Sequence, residues 1–112
     1  MLILFDQGTP VPLRAFLAGH TVKTAAQQGW STLSNGDLLR AAEADGFDLL
    51  LTSDKNLPFQ QSLKGRRFAV VVLGNPQWPL ARLYVDSIVA AVNAATPGSC
   101  TVVEIPPPKS HA

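Results

Sequence analysis

Two aspartates stand just beyond short aliphatic runs: Asp6 follows Leu2-Ile-Leu-Phe5, and Asp54 follows Leu49-Leu-Leu-Thr52-Ser53. If those runs are neighbouring parallel strands, the two carboxylates converge on one spot, where like charges repel unless a cation neutralises them. Oxygen-only ligands favour Mg²⁺ or Mn²⁺, which take a few carboxylates, keep several waters, and activate one of those waters against a phosphodiester. A third carboxylate, Asp37, falls in the first turn of a helix expected to start near Asn35. The candidate metal ligands and catalytic residues are therefore Asp6, Asp37 and Asp54, with Lys55 placed to meet a substrate phosphate as a point charge. Each acid also has a plainer role. Asp6 would serve an Asx turn or a helix cap, although Thr9 is expected to cap the segment begun by Pro10. Asp54 would cap a short segment over residues 55–63. Ser34-Asn35-Gly36-Asp37 fits the capping box, a Ser three residues before an acid.

These residues need a scaffold that gathers strand ends. The apolar runs are short, rich in Leu, Ile and Val, and alternate with segments of helical spacing, as a buried parallel sheet covered by helices reads in sequence. The spacing predicts strands over 2–5, 21–24, 47–52, 68–73 and 101–105. It predicts a short helix from Pro10 stopped by Gly19, a second over 35–46, and a longer one opened by Pro79. On that last helix Leu80, Leu83, Tyr84, Ile88, Ala91 and Val92 share an apolar face, and Arg82 and Asp86 pair at i and i+4 on the other. The expected architecture is a three-layer α/β/α sandwich in a single domain over 1–105, followed by a Pro-rich extended tail over 106–112.

Composition narrows the function classes. The chain has 112 residues, 46% hydrophobic and 15% charged, with a formal net charge of +1, which opposes a broadly basic nucleic-acid-coating protein. Its single cysteine, Cys100, excludes an internal disulfide and a cysteine-based zinc site, and suits a reducing cytoplasmic location. No apolar run approaches the roughly 20 residues of a membrane span. His20 reads as a turn histidine, Ser34 and Ser53 lack a nucleophile elbow, and the glycines form no phosphate-binding motif. Trp30 and Trp78 read as packing residues. Glu43, Asp45, Asp48 and Asp86 read as surface acids.

With Asp6, Asp37 and Asp54 reached by position, the chain resembles the small PIN-like proteins of prokaryotes, relatives of PIN-domain ribonuclease toxins. An opening strand with an Asp-Glu-Asn-Leu-Pro type motif is matched by Leu2-Ile-Leu-Phe-Asp6-Gln-Gly-Thr-Pro10. A Gly-His-x-Val turn is matched by Gly19-His20-Thr21-Val22, and an Asp on the next helix by Asp37-Leu38-Leu39. A Thr-x-Asp-Lys-Asp block is matched by Thr52-Ser53-Asp54-Lys55-Asn56. The resemblance implies a PIN-like, mainly parallel sheet of about five strands. It also implies a Mg²⁺- or Mn²⁺-dependent endoribonuclease, the toxin component of a toxin–antitoxin system. RNA would be the substrate and a small cognate antitoxin the partner, in a homodimer or a hetero-complex. Gln7, Gly8 and Asn56 replace residues of the pattern, and Gly74-Asn75-Pro76 offers no fourth acid. Those departures leave a catalytically degenerate interaction module as the alternative. A receiver-type phospho-acceptor reading of Asp54 is opposed by the short stretch 55–67 before the next strand.

Overall fold

The computed structural model describes residues 1–57 and 66–106. Five strands form one all-parallel sheet: β1 (Leu2–Phe5), β2 (Thr21–Thr24), β3 (Leu49–Thr52), β4 (Ala69–Leu73) and β5 (Cys100–Val103). Their order is β2-β1-β3-β4-β5. The chain moves outward from β1 to β2, then crosses back to β3 on the other side of β1. The carboxyl ends of β1 and β3 therefore flank the point where the winding reverses, the place where open α/β sheets bind ligands. In register, Phe5 lies opposite Leu51, so Asp6, the first residue after β1, stands beside Thr52, the last residue of β3, at that crevice.

Alternation along β1 and β3 splits the core into two clusters, because successive strand residues face opposite ways. Ile3, Phe5, Leu49 and Leu51 join Leu13, Leu17, Ile88 and Val92 on one face. Leu4, Leu50, Val70 and Val72 join Leu38, Leu39, Ala42 and Phe68 on the other. A fully buried Leu, Ile or Phe contributes about 1.5–3 kcal/mol by leaving water, so β1 and β3 are anchored from both sides. Helix α1 (Asn35–Ala44) covers the second face. A 3-10 helix over Val11–Phe16, the short α2 (Trp78–Ala81) and α3 (Val85–Ala94) supply the first. Trp30 packs edge-on against Phe47, and Trp78 packs tilted against Phe16, both with ring centroids 5.9 Å apart, the packing roles expected of them.

The differences from the sequence expectation are local. β3 starts at Leu49 rather than residue 47, because the Phe47 N–H closes back on the Ala42 carbonyl and belongs to the exit of α1. β5 runs over Cys100–Val103 rather than 101–105. The long helix expected from Pro79 is broken by a 3-10 turn over Arg82–Tyr84, in which Tyr84 has φ −115° and ψ 18°. The ion pairs among the described residues are Arg40–Asp37 and Arg66–Glu43, so the expected Arg82–Asp86 pair does not form. Thr9 is not a cap: Pro10 precedes the 3-10 helix without a side-chain hydrogen bond, and the Thr9 hydroxyl donates to the Leu51 carbonyl at 2.7 Å. Residues 58–63 of the segment expected after Asp54, and the tail beyond Pro106 with His111, lie outside the described residues.

Gly74 closes the sheet at the far end of β4. A Cβ there would stand 2.8 Å from the Ile105 nitrogen and 3.0 Å from the Val103 oxygen, both backbone atoms that cannot turn aside. Gly74→Ala is expected to destabilise the chain by about 1–3 kcal/mol, the usual range for overpacking that forces the backbone to shift. A urea melt checks this, and an unchanged midpoint would show that β5 yields freely.

Candidate functional site

The crevice between β1 and β3 is built by two loops tied together through one hydroxyl. Thr52, the last residue of β3, is 0% exposed. Its Oγ1 donates to Asp6 Oδ2 at 2.8 Å and accepts the Asp54 N–H at 3.1 Å. Buried polar groups without partners are costly, so this hydroxyl fixes both aspartates relative to the sheet. The Asp6 N–H donates to the Leu51 carbonyl at 3.0 Å, extending the ladder by one bond, and Thr9 caps the same carbonyl from its side chain. Gly8 completes the close approach, since a Cβ there would stand 2.6 Å from Ser53 Oγ.

Each carboxylate is held at both oxygens. Asp6 Oδ1 accepts the Gln7 N–H at 2.7 Å, opposite the Thr52 bond at Oδ2. Asp54 Oδ1 accepts the Asn56 N–H at 2.9 Å, an Asx turn, and Asp54 Oδ2 accepts from Asn35 Nδ2 at 2.8 Å. Asp54 thus makes a local Asx turn while it stands beside Asp6 at the adjacent strand end; Asp6 makes neither the Asx turn nor the helix cap set against it. A carboxylate oxygen has two lone pairs, so one internal bond leaves each oxygen able to meet a cation or a water.

Asp37 is not brought to this point. It lies in the first turn of α1, its N–H donates to the Ser34 cap at 3.3 Å, and its carboxylate is ion-paired with Arg40 on the exposed side of the helix. The Arg40 guanidinium, with help from Ser34, holds the Asp37 carboxyl below its ordinary range. The stabilisation carried by that pair is therefore present above the usual carboxylate pKa and is lost only as pH falls through the lowered one. Among the described residues no three His, Cys, Asp or Glu side chains form a group able to hold a metal ion. Of the three carboxylates expected to gather, Asp6 and Asp54 stand at adjacent strand ends, whereas Asp37 is paired with Arg40 on the exposed side of α1 and does not join them. Ser34→Ala is expected to cost about 1 kcal/mol, the worth of a helix cap, with no change in cation binding. Loss of Mn²⁺ affinity in that variant would tie the cap to the site.

Lys55 is exposed in the turn after Asp54. Sequence reasoning passed over Asn35 as a mere helix start. The available signal was its place: α1 begins at the carboxyl end of the sheet, so one side of its first turn meets the strand ends, and Asn35 lies on that side. The remaining candidates have structural partners. His20 bridges the Met1 amino group at 3.1 Å and Asn93 Oδ1 at 2.9 Å. Asp48 Oδ2 accepts the Leu2 N–H at 2.7 Å, and Glu43 ties α1 to Arg66 and the Arg67 N–H ahead of β4. Burial pushes the Cys100 thiol up, which keeps its thiolate scarce at neutral pH.

Compared with protein-family models, curated proteins and solved structures, the chain matches none. No helix among the described residues is long and apolar enough to cross a membrane.

Proposed function

We propose that the chain is a Mg²⁺- or Mn²⁺-dependent endoribonuclease, the toxin component of a toxin–antitoxin pair. One observation carries the catalytic part: Asp6 and Asp54 lie beyond the carboxyl ends of adjacent central strands and share the buried Thr52 hydroxyl. The substrate class and the cognate protein rest on the resemblance to PIN-like proteins.

The donor set fits such an ion, since Mg²⁺ is commonly held by one or two carboxylates together with waters and substrate phosphate oxygens. Asp6 and Asp54 would hold it. When bound, the ion would supply an activated water and balance the charge that grows on the phosphate during in-line attack. The protein's own part is positional. Thr52, Gln7, Asn35 and Asn56 fix the two carboxylates, which limits the reorganisation needed when charge develops. Lys55 would draw a phosphate toward the crevice as a compact, strongly hydrated charge.

A partner surface is compatible with a groove of about 440 Å³ lined by Phe16, Val85, Asp86, Val89, Ala90 and Asn93. Phe16 is 50% exposed and Leu83 is 69% exposed, the kind of apolar residues that a protein partner or a second copy covers. A second reading, a PIN-like interaction module without catalysis, is favoured by the internal bonds already made at both oxygens of each acid. Incubation of the purified chain with labelled RNA and Mn²⁺ separates the two. Endonucleolytic products that chelation abolishes support the nuclease; intact RNA across a range of substrates, with tight binding to a small neighbouring protein, supports the module.

A further inference from the structure

Asn35 opens α1, is half-buried, and donates from Nδ2 to Asp54 Oδ2 at 2.8 Å. Asp37 follows two positions later. Residues two apart on an α-helix do not share a face, since each residue advances about 100° around the axis. One helix start therefore cannot aim both side chains at the same strand end. The bond from Asn35 to Asp54 settles which one α1 presents, and the pairing of Asp37 with Arg40 places the other outward.

We infer that Asn35, rather than Asp37, is the third protein group of the cation site, a positioning residue that acts through Asp54. The inference rests on the cation reading of Asp6 and Asp54. An amide in this place has two consequences. It orients Asp54 with a neutral donor, as groups behind metal ligands commonly do. It also leaves the crevice with two carboxylates in place of three, so a divalent ion is balanced by the protein and a phosphate approaches with less repulsion.

The test is a Mn²⁺ titration of the purified chain, read by the electron paramagnetic resonance of the free ion, with melting curves on the same samples. Asn35→Ala is expected to weaken Mn²⁺ binding about tenfold, as loss of such a supporting bond commonly does. Asn35→Asp is expected to bind Mn²⁺ more tightly than the parent and to melt lower without the ion than with it, because adjacent carboxylates repel until a cation joins them. Asp37→Asn should bind as the parent does. The inference is overturned if Asn35→Asp and Asn35→Ala both bind like the parent, or if Asp37→Asn alone weakens binding. Failure of the underlying cation reading has a separate signature: the parent and Asp54→Asn then take up Mn²⁺ equally, and Asn35→Asp gains nothing.

Discussion

Asp54→Asn is expected to lower Mn²⁺-supported RNA cleavage by at least about a hundredfold, since a lost ligand charge removes several kcal/mol of metal-borne stabilisation and each 1.36 kcal/mol is a factor of ten. The fold should survive. The new carboxamide is isosteric with the carboxylate and keeps an oxygen for the Asn56 N–H. Asp6→Asn should behave alike. Its oxygen still accepts the Gln7 N–H, while the Thr52 hydroxyl can accept from the new NH₂ but loses the acceptor for its own proton, at a cost of about 1–3 kcal/mol that leaves the chain folded. Cleavage rates measured beside melting curves check the pair. Variants that cut as fast as the parent would remove both aspartates from the chemistry.

Thr52→Val is expected to have the largest effect of a single substitution on both stability and the site together. The change keeps the shape of a fully buried side chain but leaves Asp6 Oδ2 without its donor and the Asp54 N–H without its acceptor. Unpaired groups of this kind cost about 1–3 kcal/mol. Because the same hydroxyl bonds the Asp6 carboxylate and the Asp54 backbone N–H, it ties the loop that carries Asp54 to Asp6, and Mn²⁺ affinity should fall with stability, by about tenfold. Thr52→Ser retains the hydroxyl and should restore most of the affinity while losing only the methyl packing. Equal Mn²⁺ binding by Thr52→Val and the parent would show that the two loops hold their geometry without this bond.

The strands that form the crevice were legible because their boundaries are chemical. β1 matches the expected residues at both ends and β3 at its carboxyl end, where aliphatic runs give way to Asp6 and to Ser53-Asp54, and β2 matches after the turn at Gly19. Asp6 and Asp54 were legible for the same reason, as acids directly beyond buried runs. What escaped depends on contacts between distant segments. Thr9 looked like a cap because it precedes proline, yet its hydroxyl is drawn to the Leu51 carbonyl by the pairing of β1 with β3. The break over Arg82–Tyr84 carries neither glycine nor proline, so the apolar spacing read through it as one helix. Asp37 and Asn35 illustrate the same limit at the site. Both lie in the first turn of α1, and only the packing of that helix on the sheet decides which one meets Asp54.

The central claim is that Asp6 and Asp54 together hold a divalent cation, and direct Mn²⁺ binding tests it without reference to any substrate. The parent chain and the Asp6→Asn/Asp54→Asn double variant are titrated side by side, with free ion followed by electron paramagnetic resonance. A single saturable Mn²⁺ site in the parent that disappears in the folded double variant is the predicted result. Equal binding by both proteins would contradict the account.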